Sequence, residues 1–74
     1  MTADEIRTKI ERGLPGSRVQ VRDTTGTGDH FEALVIAEQF AGKNMVEQHR
    51  MVYSILGAAM AGPIHALALR TSAA

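Results

Sequence analysis

A chain of 74 residues holds one domain, and a core this small commonly relies on disulfides, a metal or a partner for part of its stability. The chain has no cysteine, which excludes disulfides, thiolate zinc sites and a thiol nucleophile, so any iron–sulfur chemistry needs thiolates from elsewhere. Eight Lys and Arg balance eight Asp and Glu, leaving no charge excess to draw phosphates, and no apolar stretch approaches the ~20 residues of a membrane span. The start, MTADEIRTKI, is acidic where a signal peptide is basic, so the expectation is a cytoplasmic chain with no targeting segment.

The first element opens on Thr2-x-x-Glu5, the pattern of a capping box, in which hydroxyl and carboxylate each satisfy a free amide at a helix start. Ile6, Ile10 and Leu14 recur at a spacing of four and form one apolar stripe; Gly13, Pro15 and Gly16 end the helix. SRVQVRD alternates Val19 and Val21 with Arg18, Gln20 and Arg22, the period-two pattern of a half-buried strand. TTGTGD is a loop longer than a tight hairpin needs, and HFEALVIAEQF reads as the second strand. AGKN breaks that strand. Asn44 with Glu47 then caps a second helix, on which Val46, His49, Tyr53, Leu56 and Met60 form the predicted apolar face, widened by Met45, Val52 and Ala59. Gly57 interrupts this pattern and Gly62-Pro63 stops it. IHALALR is the third strand, and TSAA is a fraying tail.

The order α-β-β-α-β describes an α+β domain with helices over one face of a three-stranded mixed sheet. A loop joins strands one and two, which makes them antiparallel, whereas the helix between strands two and three permits parallel pairing. If strands two and three are neighbours, His30 and His65 open them at the same end of the sheet. Adjacent strands lie ~4.8 Å apart, so the two imidazoles could reach one metal or cluster; strand three beside strand one would separate them. His49 lies 13 residues before Gly62, roughly 20 Å along a helix, and is not expected to be a third ligand. Each histidine also has a plainer reading: His65 as a partly buried strand residue, His30 as a solvated loop end, and His49 as an interfacial helix position.

FAGKNMVEQHRMVYSIL followed by GPIHALAL resembles the BolA proteins, whose pattern is Phe-x-Gly-Lys, then His-Arg-x-Val before a helix end, then Ile/Val-His-Ala-Leu on the last strand. DTTGTGDHFEALVI is similar to the family's strand-loop-strand segment, so the likeness covers nearly all of residues 1–74 as one BolA-like domain. The resemblance implies a fold like a class II KH domain and a partner, a monothiol CGFS-type glutaredoxin, with which a bridged 2Fe–2S cluster is shared. In that arrangement the glutaredoxin cysteine and a glutathione thiol supply sulfur. The BolA-like chain supplies the histidine of its last strand and a His or Cys from the loop before strand two. These map onto His65 and His30, with no cofactor expected in the isolated chain. Two nitrogen ligands on one iron would give a Rieske-like environment of raised potential. Two departures stand out: the family continues past the last strand with a Thr-x-x-Glu-Trp-like segment where this sequence reads RTSAA, and FAGKN has one glycine where the KH nucleic-acid loop needs two.

The family is also linked to transcriptional regulation. On that alternative Lys43, His49 and Arg50 would contact DNA, with Arg50 reading a phosphate or guanine; Lys43 and Arg50 could equally dock the glutaredoxin. A weak homodimer is a further partner expectation. Catalysis is not expected, because no acid–base pair is suitably spaced and TTGTGD lacks the Lys-Ser/Thr of a phosphate-binding loop.

Overall fold

Thr2 starts the first helix as the sequence predicts: its hydroxyl accepts from the Glu5 amide at 3.1 Å, and its own amide donates to Glu5 Oε1 at 2.9 Å. In the computed structural model, which describes residues 1–74, this helix, α1, spans Ala3–Gly13. Ile6, Ile10 and Leu14 are all buried beneath it. The hydrogen bond from the Thr2 backbone, and after it that from the Thr2 side chain, hold the Glu5 carboxyl below its usual range. A folded-state pKa below the unfolded one stabilises the fold above the unfolded value and loses that contribution as pH falls through the folded value. The expected result is that Glu5→Gln melts lower than wild type at neutral pH and that the gap closes below about pH 4, as followed by thermal melts across that range.

Strands β1 (Arg18–Asp23), β2 (His30–Ile36) and β3 (Ala66–Ser72) form one sheet in the order β1-β2-β3. β1 pairs antiparallel with β2, and β2 pairs parallel with β3 in the register His30 with Ala66 through Ile36 with Ser72. Alternation along β2 decides which face is covered: Phe31, Ala33 and Val35 are buried, while Glu32 between them is exposed. Both helices lie on the Phe31 side. The other face carries Arg22, whose guanidinium pairs with Glu32 at 2.7 Å. Helix α2 (Met45–Leu56) connects the parallel strands and is capped by Asn44 and Glu47, each side chain bonding the other's amide. Thr71 of β3 is buried and donates to Gln48 Oε1 of α2 at 2.7 Å, which ties the second helix to the sheet edge.

Four boundaries differ from the sequence reading. β2 ends at Ile36 instead of running to Phe40, because a 3-10 turn at Glu38–Phe40 folds the Phe40 ring into the core, fully buried. β3 starts at Ala66 and includes Thr71 and Ser72, so two residues of the predicted tail are strand and the predicted strand residues Ile64 and His65 precede the ladder. Gly57 does end α2: it takes φ +54°, a left-handed conformation that glycine adopts without a Cβ penalty, and a 3-10 turn over Gly57–Ala61 follows. The buried side of α2 is Val52 and Leu56 with Met51 and Ile55 beside them, and Ala59 of the following turn is buried too, whereas Val46 is 58% and Tyr53 38% exposed. The helix carries two apolar stripes at helical spacing, and the core takes only one.

Helices α1 and α2 approach closely at Gly13. A Cβ there would lie 2.7, 2.7 and 2.8 Å from Cγ1, Cγ2 and Cδ1 of Ile55. Because Cγ1 and Cγ2 both branch from Cβ, rotation at the end of the side chain cannot clear them. Gly13→Ala is expected to cost about 1–2 kcal/mol, the overpacking penalty exceeding the gain in helix propensity. Urea unfolding of the double variant with Ile55→Ala checks this: a smaller loss than the two single losses added together identifies the contact as the cause.

Candidate ligand site at the end of the sheet

Asp23, the last residue of β1, organises the loop that delivers the site. Its Oδ1 accepts from the amides of Thr25 at 3.2 Å and Gly26 at 2.9 Å, and its Oδ2 from that of Gly28 at 2.9 Å. Thr24 closes the loop by donating both its amide and its hydroxyl to the His30 carbonyl, at 2.9 and 3.1 Å. These bonds fix where β2 begins, and so where the His30 ring stands.

His65 arrives from the opposite side of the chain. Ile64 is buried at 1% exposure and anchors the entry to β3, while His65 itself is exposed. Its amide donates to the Asp29 carbonyl at 2.8 Å, and the Ala66 amide donates to the same oxygen at 3.1 Å. In the ladder Phe31 pairs with Leu67 and His30 with Ala66, so strict alternation would put His65 and His30 on opposite faces. That rule stops at Ala66. Standing before the ladder, His65 turns its ring toward His30, and the two ring centroids are 5.1 Å apart with their planes at 50°.

The Asp29 side chain completes the group. Its Oδ1 lies 3.0 Å from His30 Nδ1 and also accepts from the Thr27 hydroxyl. The Thr27 hydrogen bond first, and the His30 hydrogen bond second, hold the carboxyl down to about 2. It is therefore an anion at neutral pH and can only accept, so the proton shared with the ring sits on Nδ1. The His30 side chain keeps 40% of its surface in solvent. Asp29 escaped the sequence reading, whose sole signal for it was its place immediately before His30.

The chain thus brings together the two histidines predicted as ligands. No group of three or more His, Cys, Asp and Glu residues suited to holding a metal occurs anywhere in it. A surface depression of about 510 Å³ lies over the strand centres between Gln20, Arg22, Glu32, Leu34, Ala68 and Arg70 and includes neither histidine. Lys43, His49 and Arg50 are placed elsewhere. Lys43 is exposed in the turn before α2 and Arg50 is exposed on it, neither in an ion pair. His49 is half-buried, with its ring edge-on to Tyr53 at 6.3 Å and its Nε2 without a partner.

Residues 8–74 match the family model described as BolA-like protein. The chain belongs to the BolA family. It is 33% identical over 72 residues to BolA-like protein 1 of Bos taurus, covering 88% of this chain and 53% of that protein. To the DNA-binding transcriptional regulator BolA of Escherichia coli (strain K12) it is 37% identical over 46 residues, covering 62% of this chain and 44% of that one. Among solved structures, a BolA protein homologue from Coxiella burnetii superposes with a TM-score of 0.82 at 42% identity, covering 97% of this chain and 90% of that one. This BolA-family chain spans about half the length of the BolA-like protein 1 relatives it matches. None of its helices is long and apolar enough to cross a membrane.

Proposed function

We propose that this chain is a non-enzymatic member of the BolA family that pairs with a monothiol CGFS-type glutaredoxin and shares a 2Fe–2S cluster with it, serving cluster trafficking or iron and redox regulation. The observation that carries the reading is the His30–His65 pair, whose ring centroids stand 5.1 Å apart at the same end of the sheet. Two nitrogens bound at ~2.1 Å to a tetrahedral metal lie about 3.4 Å apart, a spacing that rings with centroids this close can adopt. Two imidazoles are half of a coordination sphere. With no cysteine in the chain, the thiolates must come from the partner and from glutathione. Neutral nitrogen ligands raise a cluster's potential over that of an all-thiolate site, which is the chemistry such a pair supplies. What this chain does is present the two rings on one exposed rim. The backbone bonds to the Asp29 carbonyl and the Asp23-held loop keep that rim assembled before any partner arrives.

The test is to titrate the chain into a glutathione-ligated, cluster-loaded monothiol glutaredoxin while recording visible absorption and circular dichroism. The expected result is a new spectrum that saturates at one to one. An unchanged spectrum, with no complex by size-exclusion chromatography, overturns the proposal.

A second reading, DNA binding, is favoured by the name of the Escherichia coli relative and by the unpaired Lys43 and Arg50 around α2. Against it stands the zero net charge, since phosphate affinity rests on displaced counterions. Binding to duplex DNA that weakens steeply with salt, and that Arg50→Ala abolishes, would establish this reading in place of the first.

A further inference from the structure

Asp29 touches both halves of the ligand pair, through different atoms. Its carboxylate holds the His30 ring, and its carbonyl accepts the amides of His65 and Ala66 where the chain enters β3. We propose that Asp29 is the positioning residue of the site: its carboxylate fixes His30 as the Nδ1–H tautomer, leaving the Nε2 lone pair free to ligate, and its carbonyl seats His65 beside that ring. The proposal rests on the shared-cluster reading for its purpose and on the hydrogen bonds alone for its geometry.

Several independent facts lead there. A carboxylate accepts and cannot donate, so the 3.0 Å contact requires the proton on His30 Nδ1. In a neutral imidazole the other nitrogen is then the acceptor, the atom a metal needs. Metal-binding histidines commonly donate their second ring nitrogen to a carboxylate, which fixes both tautomer and ring rotation and raises ligand basicity. The Thr27 hydroxyl restrains the carboxylate from its far side, so the ring is held by a residue that is itself held. His65 has no such side-chain partner, and only its backbone is fixed. The site therefore pairs one imidazole held by a side-chain hydrogen bond with one that has none.

The experiment tests the contribution of the carboxylate, since side-chain substitutions leave the carbonyl in place. On the isolated chain labelled with ¹⁵N, above about pH 8 where imidazole is neutral, the ring nitrogen shifts of His30 report its tautomer directly. Wild type is expected to show Nδ1–H. Asp29→Asn, whose amide oxygen still accepts, is expected to keep it, and Asp29→Ala to lose it, with the backbone spectrum beyond the 24–30 loop unchanged in both. In the glutaredoxin complex, cluster retention is expected to fall about 10-fold or more for Asp29→Ala and to be largely rescued by Asp29→Asn. A wild-type His30 protonated on Nε2, or an Asp29→Ala chain with the wild-type tautomer, overturns the proposal. If the tautomer behaves as expected while the wild-type complex takes up no cluster, the positioning geometry is supported and it is the shared-cluster function that falls.

Discussion

Phe40→Ala is expected to abolish cooperative unfolding of the isolated domain. The ring is fully buried and belongs to a 3-10 turn held at both ends, its amide donating to the Ala37 carbonyl at 3.1 Å and its carbonyl accepting the Lys43 amide at 3.0 Å. The backbone is thus pinned and cannot collapse into the space a smaller side chain leaves. Removing a buried phenyl group under such constraint costs about 3–5 kcal/mol. A domain of this length holds about 3–5 kcal/mol in total, so the substitution consumes the whole margin. Far-ultraviolet circular dichroism during a urea titration should show a broad, sloping change in place of a sigmoid. Phe40→Leu, which keeps most of the volume, should retain the sigmoid with a loss of about 1 kcal/mol. Tyr53→Ala on the exposed stripe of α2 should stay within about 0.5 kcal/mol of wild type. A sigmoidal, near-wild-type transition for Phe40→Ala would show that the core does not depend on this ring.

Phe40 also shows where the sequence stops being informative. HFEALVIAEQF contains neither Gly nor Pro, and no turn signal marks Ile36 as the last strand residue. The strand ends because the core beneath the helices has room for a phenyl ring that only a turn can deliver, which is a tertiary fact. The same limit applies to α2. Val46 and Tyr53 follow one helical stripe, and Val52 and Leu56 another, so periodicity could not choose the buried one. By contrast α1 was legible throughout, because its capping box and the Ile6, Ile10, Leu14 stripe agree and nothing competes with them. For the site, the pairing of His30 with His65 followed from β2 and β3 being neighbours, and loop lengths alone left that order open. Asp29 lay beyond reach for a further reason. Its role depends on a carbonyl meeting the entry to a strand 36 residues away, a contact with no signature in composition or spacing.

His65→Ala is expected to leave the fold intact and to remove the cluster signature of the complex. The side chain is exposed, and the bond that seats this segment comes from the His65 backbone amide, which alanine retains. Stability should therefore change by no more than about 0.5 kcal/mol, the usual range for a surface substitution. What is lost is one of two nitrogen donors at a site where the chain has no third to substitute for it. The visible circular dichroism of the complex should revert toward that of glutaredoxin alone. Comparison with His30→Ala and with the double variant sharpens the test, because donors to one iron act as a unit. Once either is gone, removing the other should add little, whereas ligands to separate metals would contribute independently. An unchanged spectrum for His65→Ala removes this residue from the coordination sphere. Fully additive losses for the two histidines would place them on different metals, and the 5.1 Å approach of their rings would then need another explanation.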